Sequence, residues 1–279
     1  MKDKNITFVI FAYNEEERIE YVLRCFKDYG KLMIIDNYST DNTIKIAEKY
    51  TDLIYQYKNP GWVENKEVTD FVFDKVHTDW VYFAFVDELA PKTLLKKLVE
   101  LSIQDKYKVV YIARRNYHYG LKKLYLENAE LPRFFKKGAI NFENNKIHGF
   151  GEIVVSKDEI FHLPMKNKYS VHHFSTYNIS KFEINHNKYS DIEAKDNFEN
   201  NIKFSPFRLL LIPIATFFRY YFINSGWKSG WAGFIMTLQY CFFLFNTQAK
   251  LWELENDINL ETIEQKYDKL KEEMLNEGD

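Results

Sequence analysis

The sequence is poor in cysteine, has no excess of either charge and carries no long apolar run near its start. Its two cysteines, Cys25 and Cys241, lie in separate apolar runs, which gives neither a disulfide framework nor metal-ligand spacing. The 38 Lys and Arg against 40 Asp and Glu leave a formal charge of −2. This balance argues against general nucleic-acid binding, which needs a basic footprint. The apolar run after Asn5 is too short for a signal peptide, so we expect a cytoplasmic protein.

Internal repeats and low-complexity tracts are also missing, and what the sequence has in quantity is apolar and aromatic side chains. Hydrophobic residues make up 46% of the chain, enough to bury a large core and to argue against global disorder. The length of 279 residues suits one sizeable domain, alone or with an appendage. Aromatic residues reach 18%, and many of them follow Lys203.

The first hundred residues alternate short apolar runs with helical patterns. Apolar residues recur at helical spacing from Ile19 to Phe26, and Pro91 is well placed to open a later helix. The strands predicted around these helices are Ile6–Ala12, Lys31–Asp36, Leu53–Tyr57 and Trp80–Val86. This alternating order predicts an α/β fold with a mostly parallel sheet covered on both faces.

Polar side chains cluster where three of these strands end. Tyr13-Asn14 follows the first strand, Asp36-Asn37 ends the second, and Asp87-Glu88 follows the fourth. Ligands of open parallel sheets bind at the carboxyl ends of the strands. The sequence therefore predicts a ligand site at this edge of the sheet, within residues 8–88.

Six stretches resemble the family 2 glycosyltransferases of the GT-A fold, and they are most similar to the bacterial lipopolysaccharide inner-core glucosyltransferases. They are FAYNEEERI (11–19), IIDNYSTDNTIKIAEKY (34–50), DWVYFAFVDE (79–88), PRFFKK (132–137), HFSTYNISKFEINHNKYS (173–190) and FRYYFINSGWKSGWAGF (218–234). They span nearly the whole chain in the family's order. The resemblance implies a Rossmann-like, mostly parallel central sheet with flanking helices, and a hexosyltransferase that uses a nucleotide-sugar donor.

The organisation predicted from pattern and resemblance has two parts. Residues 1–204 form the catalytic domain, with a nucleotide-binding half at 1–105 and an acceptor half at 106–204. Residues 205–279 form a helical, aromatic-rich C-terminal extension.

The nucleotide site is expected around Asp36, which is placed to accept a hydrogen bond from a uracil or ribose. Capping of a strand end is the other interpretation of this residue. Arg133 matches a family arginine whose planar fork suits phosphate, with a surface arginine packed on Phe as the alternative. The full set that the resemblance implies for the nucleotide-sugar is Phe11, Ala12, Tyr13, Asn14, Glu15, Asp36, Asn65, Lys66, Val86, Asp87 and Arg133.

A divalent metal, Mn²⁺ or Mg²⁺, is expected to offset the charge of the leaving diphosphate. The resemblance implies Asp87 as its carboxylate ligand and His173 as a second ligand or a diphosphate contact. The neighbouring His172 competes for that assignment. In the family an acid stands two residues before the metal-binding acid, and here Phe85 occupies that place.

The general base is the least defined residue of the predicted site. The family has a His-Glu pair in this region, and the nearest match here is His148 followed by Glu152 after Gly149-Phe150-Gly151. Glu152 is predicted to take the proton of the acceptor hydroxyl, with Glu88 as the fallback. The implied reaction is a single in-line displacement with inversion, in which Glu152 and Asp87 are the catalytic residues.

The aromatic segment Phe207–Ile223 is 17 residues long and is interrupted by Arg208, Pro213 and Arg219. Because a spanning helix needs roughly 20 mostly apolar residues, a transmembrane helix is not predicted. The two arginines are eleven residues apart and share one helical face, which suits a helix lying on an anionic membrane surface. A helical hairpin packed on the catalytic domain and a homo-oligomer interface are the alternatives.

The expected function is transfer of a hexose from a UDP-sugar to a hydroxyl of a surface glycan or lipid-linked saccharide, on the cytoplasmic face of the membrane. A protein or peptide acceptor is a second reading. The replacement at Phe85 favours a third, a non-catalytic nucleotide-sugar binding protein.

Overall fold

The computed structural model describes residues 5–59, 63–121, 128–143, 145 and 149–277. The chain divides into two compact units, of which the first runs to Thr176 and the second begins at Tyr177. The boundary predicted at residue 204, between the catalytic domain and the C-terminal extension, stays a prediction.

The first unit is built on one large sheet. Its strands are β1 (Ile6–Ala12), β2 (Lys31–Asp36), β3 (Ile54–Gln56), β4 (Trp80–Phe85), β5 (Glu88–Leu89), β6 (Val109–His118), β7 (Asn128–Lys136), β10 (Ile160–His162) and β11 (Val171–Thr176). They lie in the order β3-β2-β1-β4-β7-β6-β11-β5, with β10 beside β6. A separate hairpin-like pair joins β8 (Ile140–Asn141) to β9 (Glu152–Ile153). The α/β fold with a mostly parallel sheet in its first half is confirmed.

The helices of this unit bury the apolar faces that the sequence pattern indicates. They are α1 (Ile19–Phe26), α2 (Thr43–Ala47), α3 (Lys66–Lys75) and α4 (Lys92–Gln104). Ile19, Val22, Leu23 and Phe26 of α1 are all buried, since spacings of three and four place them on one side. Separate apolar clusters cover the two faces of the sheet, which is why its central strands are apolar throughout.

Register places the predicted strand ends together. Ala12 of β1 pairs with Asp36 of β2, and Phe11 of β1 pairs with Phe85 of β4. All three strands run parallel, so their carboxyl ends share one edge. This edge carries the candidate site.

The second unit consists of helices. They are α5 (Ile179–Glu199), α6 (Pro206–Phe218), α7 (Gly230–Glu255) and α8 (Leu260–Asn276), and α6 continues into a π-helical turn at Arg219–Ile223. Contacts of α7 with α5 and with α6 hold the unit together. By length and composition alone, the continuous helix Pro206–Ile223 could cross a membrane, and none of it is buried. The C-terminal helical extension is thereby confirmed as helical.

Candidate active site

The loops after β1 and β2 are bonded to each other and form one rim of the site. Asn14 has a φ of 51°, in the left-handed region that Asn tolerates better than most residues. Its backbone N–H donates to Ser39 Oγ at 2.8 Å, and its Oδ1 accepts from the Thr40 N–H at 2.8 Å. The backbone N–H of Glu15 donates to Thr43 Oγ1 at 2.7 Å. The side chain of Asn14 therefore positions the rim.

Asp36 is fully buried at the end of β2. Its carboxylate accepts from the Ser39 N–H at 2.9 Å, from Ser39 Oγ at 2.5 Å and from Gln56 Nε2 at 3.3 Å. Asp36 thus serves the strand end, as the alternative interpretation has it, and its bond to a nucleoside stays a prediction.

The other predicted nucleotide contacts divide between the rim and α3. Tyr13 is 40% exposed at the rim, and the buried Ala12 accepts the Asn37 N–H through its carbonyl at 2.9 Å. Asn65 caps α3, with Oδ1 accepting the Val68 N–H at 3.1 Å. Lys66 follows in the first turn of that helix and pairs with Asp70 at the surface, at 3.1 Å.

Asp87 and His173 meet directly. Asp87 Oδ2 is 3.1 Å from His173 Nε2, and the Phe174 N–H donates to the Asp87 carbonyl at 2.8 Å. The short strand β5 makes this possible, because its Glu88 pairs with His173 of β11 in antiparallel register. His172 points elsewhere, to Tyr117 and to the Asn167 carbonyl. The structure thereby decides which of the two histidines faces Asp87.

Two neighbouring side chains, His173 and Arg18, act on the Asp87 carboxyl. Its burial would raise the pKa, but the charge and hydrogen bond of His173, together with the charge of Arg18, outweigh burial and hold the pKa below its ordinary value. Arg18 is anchored by Glu15, whose carboxylate accepts from its Nε at 2.7 Å and its Nη2 at 2.6 Å. Arg18 is a site residue that sequence reasoning missed. Nothing in the run of three glutamates before it indicates that it acts on Asp87, which is distant in sequence.

The pair Asp87 and His173 fits a divalent cation in part. One carboxylate oxygen and one imidazole nitrogen face each other, and both are ordinary ligands of Mn²⁺-type metals. In the part of the chain that the structure describes, no group of three or more His, Cys, Asp or Glu side chains is close enough to hold a metal. The remaining ligands would therefore have to come from donor oxygens and water.

Arg133 is buried, and its guanidinium is held by protein groups. Its Nη2 donates to Glu88 Oε1 at 2.7 Å and its Nη1 to the Phe83 carbonyl at 3.2 Å. Its guanidinium carbon lies 4.7 Å from the Phe85 ring centroid and 5.2 Å from that of Phe150. The Arg133 side chain is only 3% exposed. This burial agrees with neither predicted interpretation, a phosphate contact or a surface arginine packed on Phe. Arg133 holds the strand end that carries Asp87.

Phe85 and Glu88 take their roles from this arrangement. Phe85 stacks on Phe11 at 5.7 Å and offers its ring to Arg133, so an aromatic stack stands where the family has an acid. Glu88 is 2% exposed and paired with Arg133. A carboxylate this buried and held by an arginine offers little access to an acceptor hydroxyl, so the structure does not favour Glu88 as the fallback base.

Glu152 lies exposed on β9, where it pairs with Asn141 of β8. His148, the match proposed for the family's histidine, lies outside the described residues. Asn145 ties this region to the loop before α3, since its Nδ2 donates to the Glu64 carbonyl at 2.9 Å and its Oδ1 accepts the Gly151 N–H at 2.8 Å. The assignment of Glu152 as base stays a prediction.

Glu64 is a second residue that sequence reasoning missed. Burial raises the pKa of its carboxyl to about 7, against smaller opposing effects of its own backbone N–H and of Arg133. Glu64 directly precedes Asn65 and Lys66, which the resemblance did single out. The sequence signal was therefore an acidic residue next to predicted donor contacts.

Glu64→Gln is expected to stabilise the protein at pH 8 and to have little effect at pH 5. The folded state holds its proton up to about pH 7, whereas an unfolded glutamate loses it near pH 4.3. Native stability therefore falls as pH rises between these values, by up to about 4 kcal/mol. Urea unfolding at both pH values measures this.

Glu67→Gln is the matched control, because Glu67 is exposed three residues further along. Its effect is expected to stay within about 1 kcal/mol at both pH values. Equal or lower stability of Glu64→Gln at pH 8 would contradict the raised pKa.

Comparison with known proteins supports what the geometry indicates. Over 250 residues the chain is 24% identical to the lipopolysaccharide core biosynthesis glycosyltransferase LpsC of Rhizobium meliloti (strain 1021), covering 88% of this chain and 90% of that protein. It is 27% identical over 260 residues to an uncharacterized glycosyltransferase of Rickettsia typhi, covering 90% and 88%. Among solved structures, S. aureus TarS 1–349 aligns over 92% of both chains at 13% identity, and its TM-score of 0.43 is too low to support a shared site.

The family itself follows from a match over more than half of the chain. The family model described as Glycosyl transferase family 2 matches residues 7–162, a range that includes β1 to β4, Asp36, Asp87 and Arg133. The chain belongs to glycosyl transferase family 2 and is a glycosyltransferase.

Proposed function

We propose that this glycosyltransferase moves a hexose from a UDP-sugar, with inversion, to a hydroxyl of a surface glycan or lipid-linked saccharide. The observation that carries the proposal is the contact between Asp87 and His173 at 3.1 Å, beside the rim formed by the loops after β1 and β2. Oxygen and nitrogen ligands at this place suit a divalent metal, Mn²⁺ or Mg²⁺. Asp36 lies at the same carboxyl edge of the sheet, where the nucleoside of the donor would bind.

Each group has one role in the proposed reaction. Asp36 accepts a hydrogen bond from the uracil or ribose, and Tyr13 lies exposed on the adjoining rim. Asp87 and His173 hold the metal, which when bound offsets the charge of the departing diphosphate. Arg18 adds positive charge near Asp87. Glu152 takes the proton from the acceptor hydroxyl as the new bond forms on the opposite face of the sugar.

The test is donor binding and turnover by the full chain. Thermal shift with UDP-, GDP- and dTDP-sugars, each with Mn²⁺, identifies the donor, because a ligand that binds only the folded state raises the melting temperature. Slow hydrolysis of the same donor then separates an enzyme from a binding protein. No shift with any UDP-sugar would contradict the proposed donor.

The acceptor is the least constrained part of the proposal. The name of the Rhizobium relative refers to lipopolysaccharide core biosynthesis, and its match over most of both chains supports a saccharide acceptor. A protein or peptide acceptor is the alternative, since the family core does not define the acceptor.

The apolar face of α6 supports contact with a membrane surface on the cytoplasmic side. Six side chains at helical spacing form this face, each more than half exposed: Phe207, Leu210, Leu211, Ile214, Phe218 and Phe222. Exposed patches of this kind mark interaction sites. Arg208 and Arg219 lie on one flank, as in helices that rest on anionic lipid, and Trp227 and Trp231 follow, both more than half exposed. We infer that a membrane surface covers the face.

The full chain is expected to co-sediment with phosphatidylglycerol vesicles more strongly than with phosphatidylcholine vesicles. The variant Leu211→Ser/Phe218→Ser should lose most of this binding, because it removes apolar area from the face. Leu260→Ser/Met274→Ser, which changes exposed side chains of α8, is the matched control.

Three results would contradict either the membrane contact itself or the proposal that the helix lies on the membrane surface. Equal sedimentation of both variants would place the lipid contact elsewhere. Dimerisation in solution that Leu211→Ser/Phe218→Ser abolishes would assign the face to a second copy. Resistance to extraction at alkaline pH would indicate a helix that crosses the membrane, as the length of 206–223 permits.

A further inference from the structure

Asn116 contacts His173, one of the two proposed metal ligands, on the side of the ring away from Asp87. It lies on β6 opposite His173 of β11, and its amide oxygen is 2.8 Å from His173 Nδ1. An amide oxygen can only accept a hydrogen bond, so the ring proton belongs on Nδ1. The other nitrogen, Nε2, lies 3.1 Å from Asp87 Oδ2, and it is the one that a cation placed between the two side chains would bind.

The adjacent histidine of β11 holds the other tautomer, and there the Asn167 carbonyl sets it. His172 donates through Nε2 to the Asn167 carbonyl at 3.2 Å, and its Nδ1 accepts from the Tyr117 hydroxyl at 2.7 Å. Two neighbouring histidines thus hold opposite tautomers. The difference is that Asn116 supplies an acceptor to Nδ1 of His173, whereas the acceptor for His172 is the Asn167 carbonyl at Nε2.

We propose that Asn116 is a positioning residue that fixes the ring of His173 with Nε2 on the Asp87 side, so that both side chains bind one divalent cation. The inference rests on the proposed metal-dependent function. Histidine ligands ordinarily donate their second N–H to a carbonyl or carboxylate, which sets ring orientation and tautomer. With Phe85 in place of an acid, the orientation of the second ligand matters more for metal affinity.

Geometry also explains why Asn116 can do this without reaching the substrate. Its side chain lies on the Nδ1 side of the ring, away from Asp87, and strand pairing sets the position of its backbone. It therefore acts through His173 alone. A residue of this kind should change metal affinity while leaving nucleoside contacts intact.

The experiment measures Mn²⁺ binding in the presence of UDP by the electron paramagnetic resonance signal of free Mn²⁺. Asn116→Leu is expected to weaken binding about 10–100-fold. Asn116→Asp should restore binding, because a carboxylate accepts the same bond from Nδ1–H. Tyr117→Phe is the matched control, since it removes the equivalent bond to His172 and should leave Mn²⁺ affinity unchanged. Asn116→Ala replaces Asn116→Leu if circular dichroism shows that the leucine variant does not fold.

The outcomes separate this inference from the function on which it rests. No Mn²⁺ binding by the parent protein with UDP present would overturn the proposed metal use and the role of Asn116 together. Normal binding by the parent and undiminished binding by Asn116→Leu would overturn the role of Asn116 alone. Weakened binding that Asn116→Asp fails to restore would indicate a packing role and would also overturn it.

Discussion

Asp87→Asn is expected to slow UDP release from the donor sugar about 10²–10³-fold, the loss typical when one preorganised electrostatic group is removed from an active site. The exchange keeps the size of the side chain and removes its charge. Asp87 is one of only two metal-ligand candidates that meet here among the described residues, so its loss leaves His173 without a charged partner. The assay follows UDP release with saturating Mn²⁺.

Asp52→Asn is the matched control for this variant. Asp52 is exposed and lies just before β3, at the amino end of the sheet and opposite the site. Its replacement should leave UDP release unchanged. If Asp87→Asn released UDP as fast as the parent protein, the assignment of Asp87 to the metal would be wrong.

Arg133→Met is expected to lower the free energy of unfolding by about 3–5 kcal/mol, because it leaves the buried Glu88 carboxylate without its partner. The two side chains are 3% and 2% exposed and 2.7 Å apart. Burial and the charge of Glu88 also raise the pKa of the Tyr82 hydroxyl, because a phenolate near a buried carboxylate is unfavourable. Urea unfolding of the full chain, followed by tryptophan fluorescence, measures the loss.

The double variant Arg133→Met/Glu88→Leu tests the cause of that loss. Replacing a buried ion pair by apolar groups of similar size is often neutral or stabilising, so most of the stability should return. Lys97→Met is the surface control, since its pair with Glu100 is 27% and 51% exposed and should cost at most about 1 kcal/mol. If Arg133→Met folded with parental stability and lost UDP binding, Arg133 would be a phosphate ligand after all.

The strands and helices of the nucleotide-binding half could be predicted closely because their signals are local. The predicted strands Ile6–Ala12 and Lys31–Asp36 match β1 and β2 residue for residue, and Trp80–Val86 extends β4 by one. Continuous apolar runs of this length specify buried parallel strands. The two-residue strand β5 was not predicted, because Glu88 and Leu89 form it only by pairing with β11.

Side-chain roles at the site were predicted less well than positions. Asp87 and His173 were singled out from the sequence, and the structure brings them together. Arg133 was expected at the phosphates, yet it lies buried against Phe85 and Glu88. Arg18 and Asn116 carried no signal of their own, because each gains its significance from a partner far away in the chain. Glu64 had only the signal of an acid beside predicted donor contacts, since its raised pKa comes from burial.

The sequence by itself determined the alternation of apolar strands and helices, and with it the edge at which polar loops gather. Those features depend on the period of apolar residues and on the direction of parallel strands, which are local properties. Only the tertiary structure decided that His173 and not His172 faces Asp87, and that Arg133 holds Glu88. These facts depend on the order and register of β5, β6 and β11, since a shift of one residue along a strand turns every side chain to the opposite face.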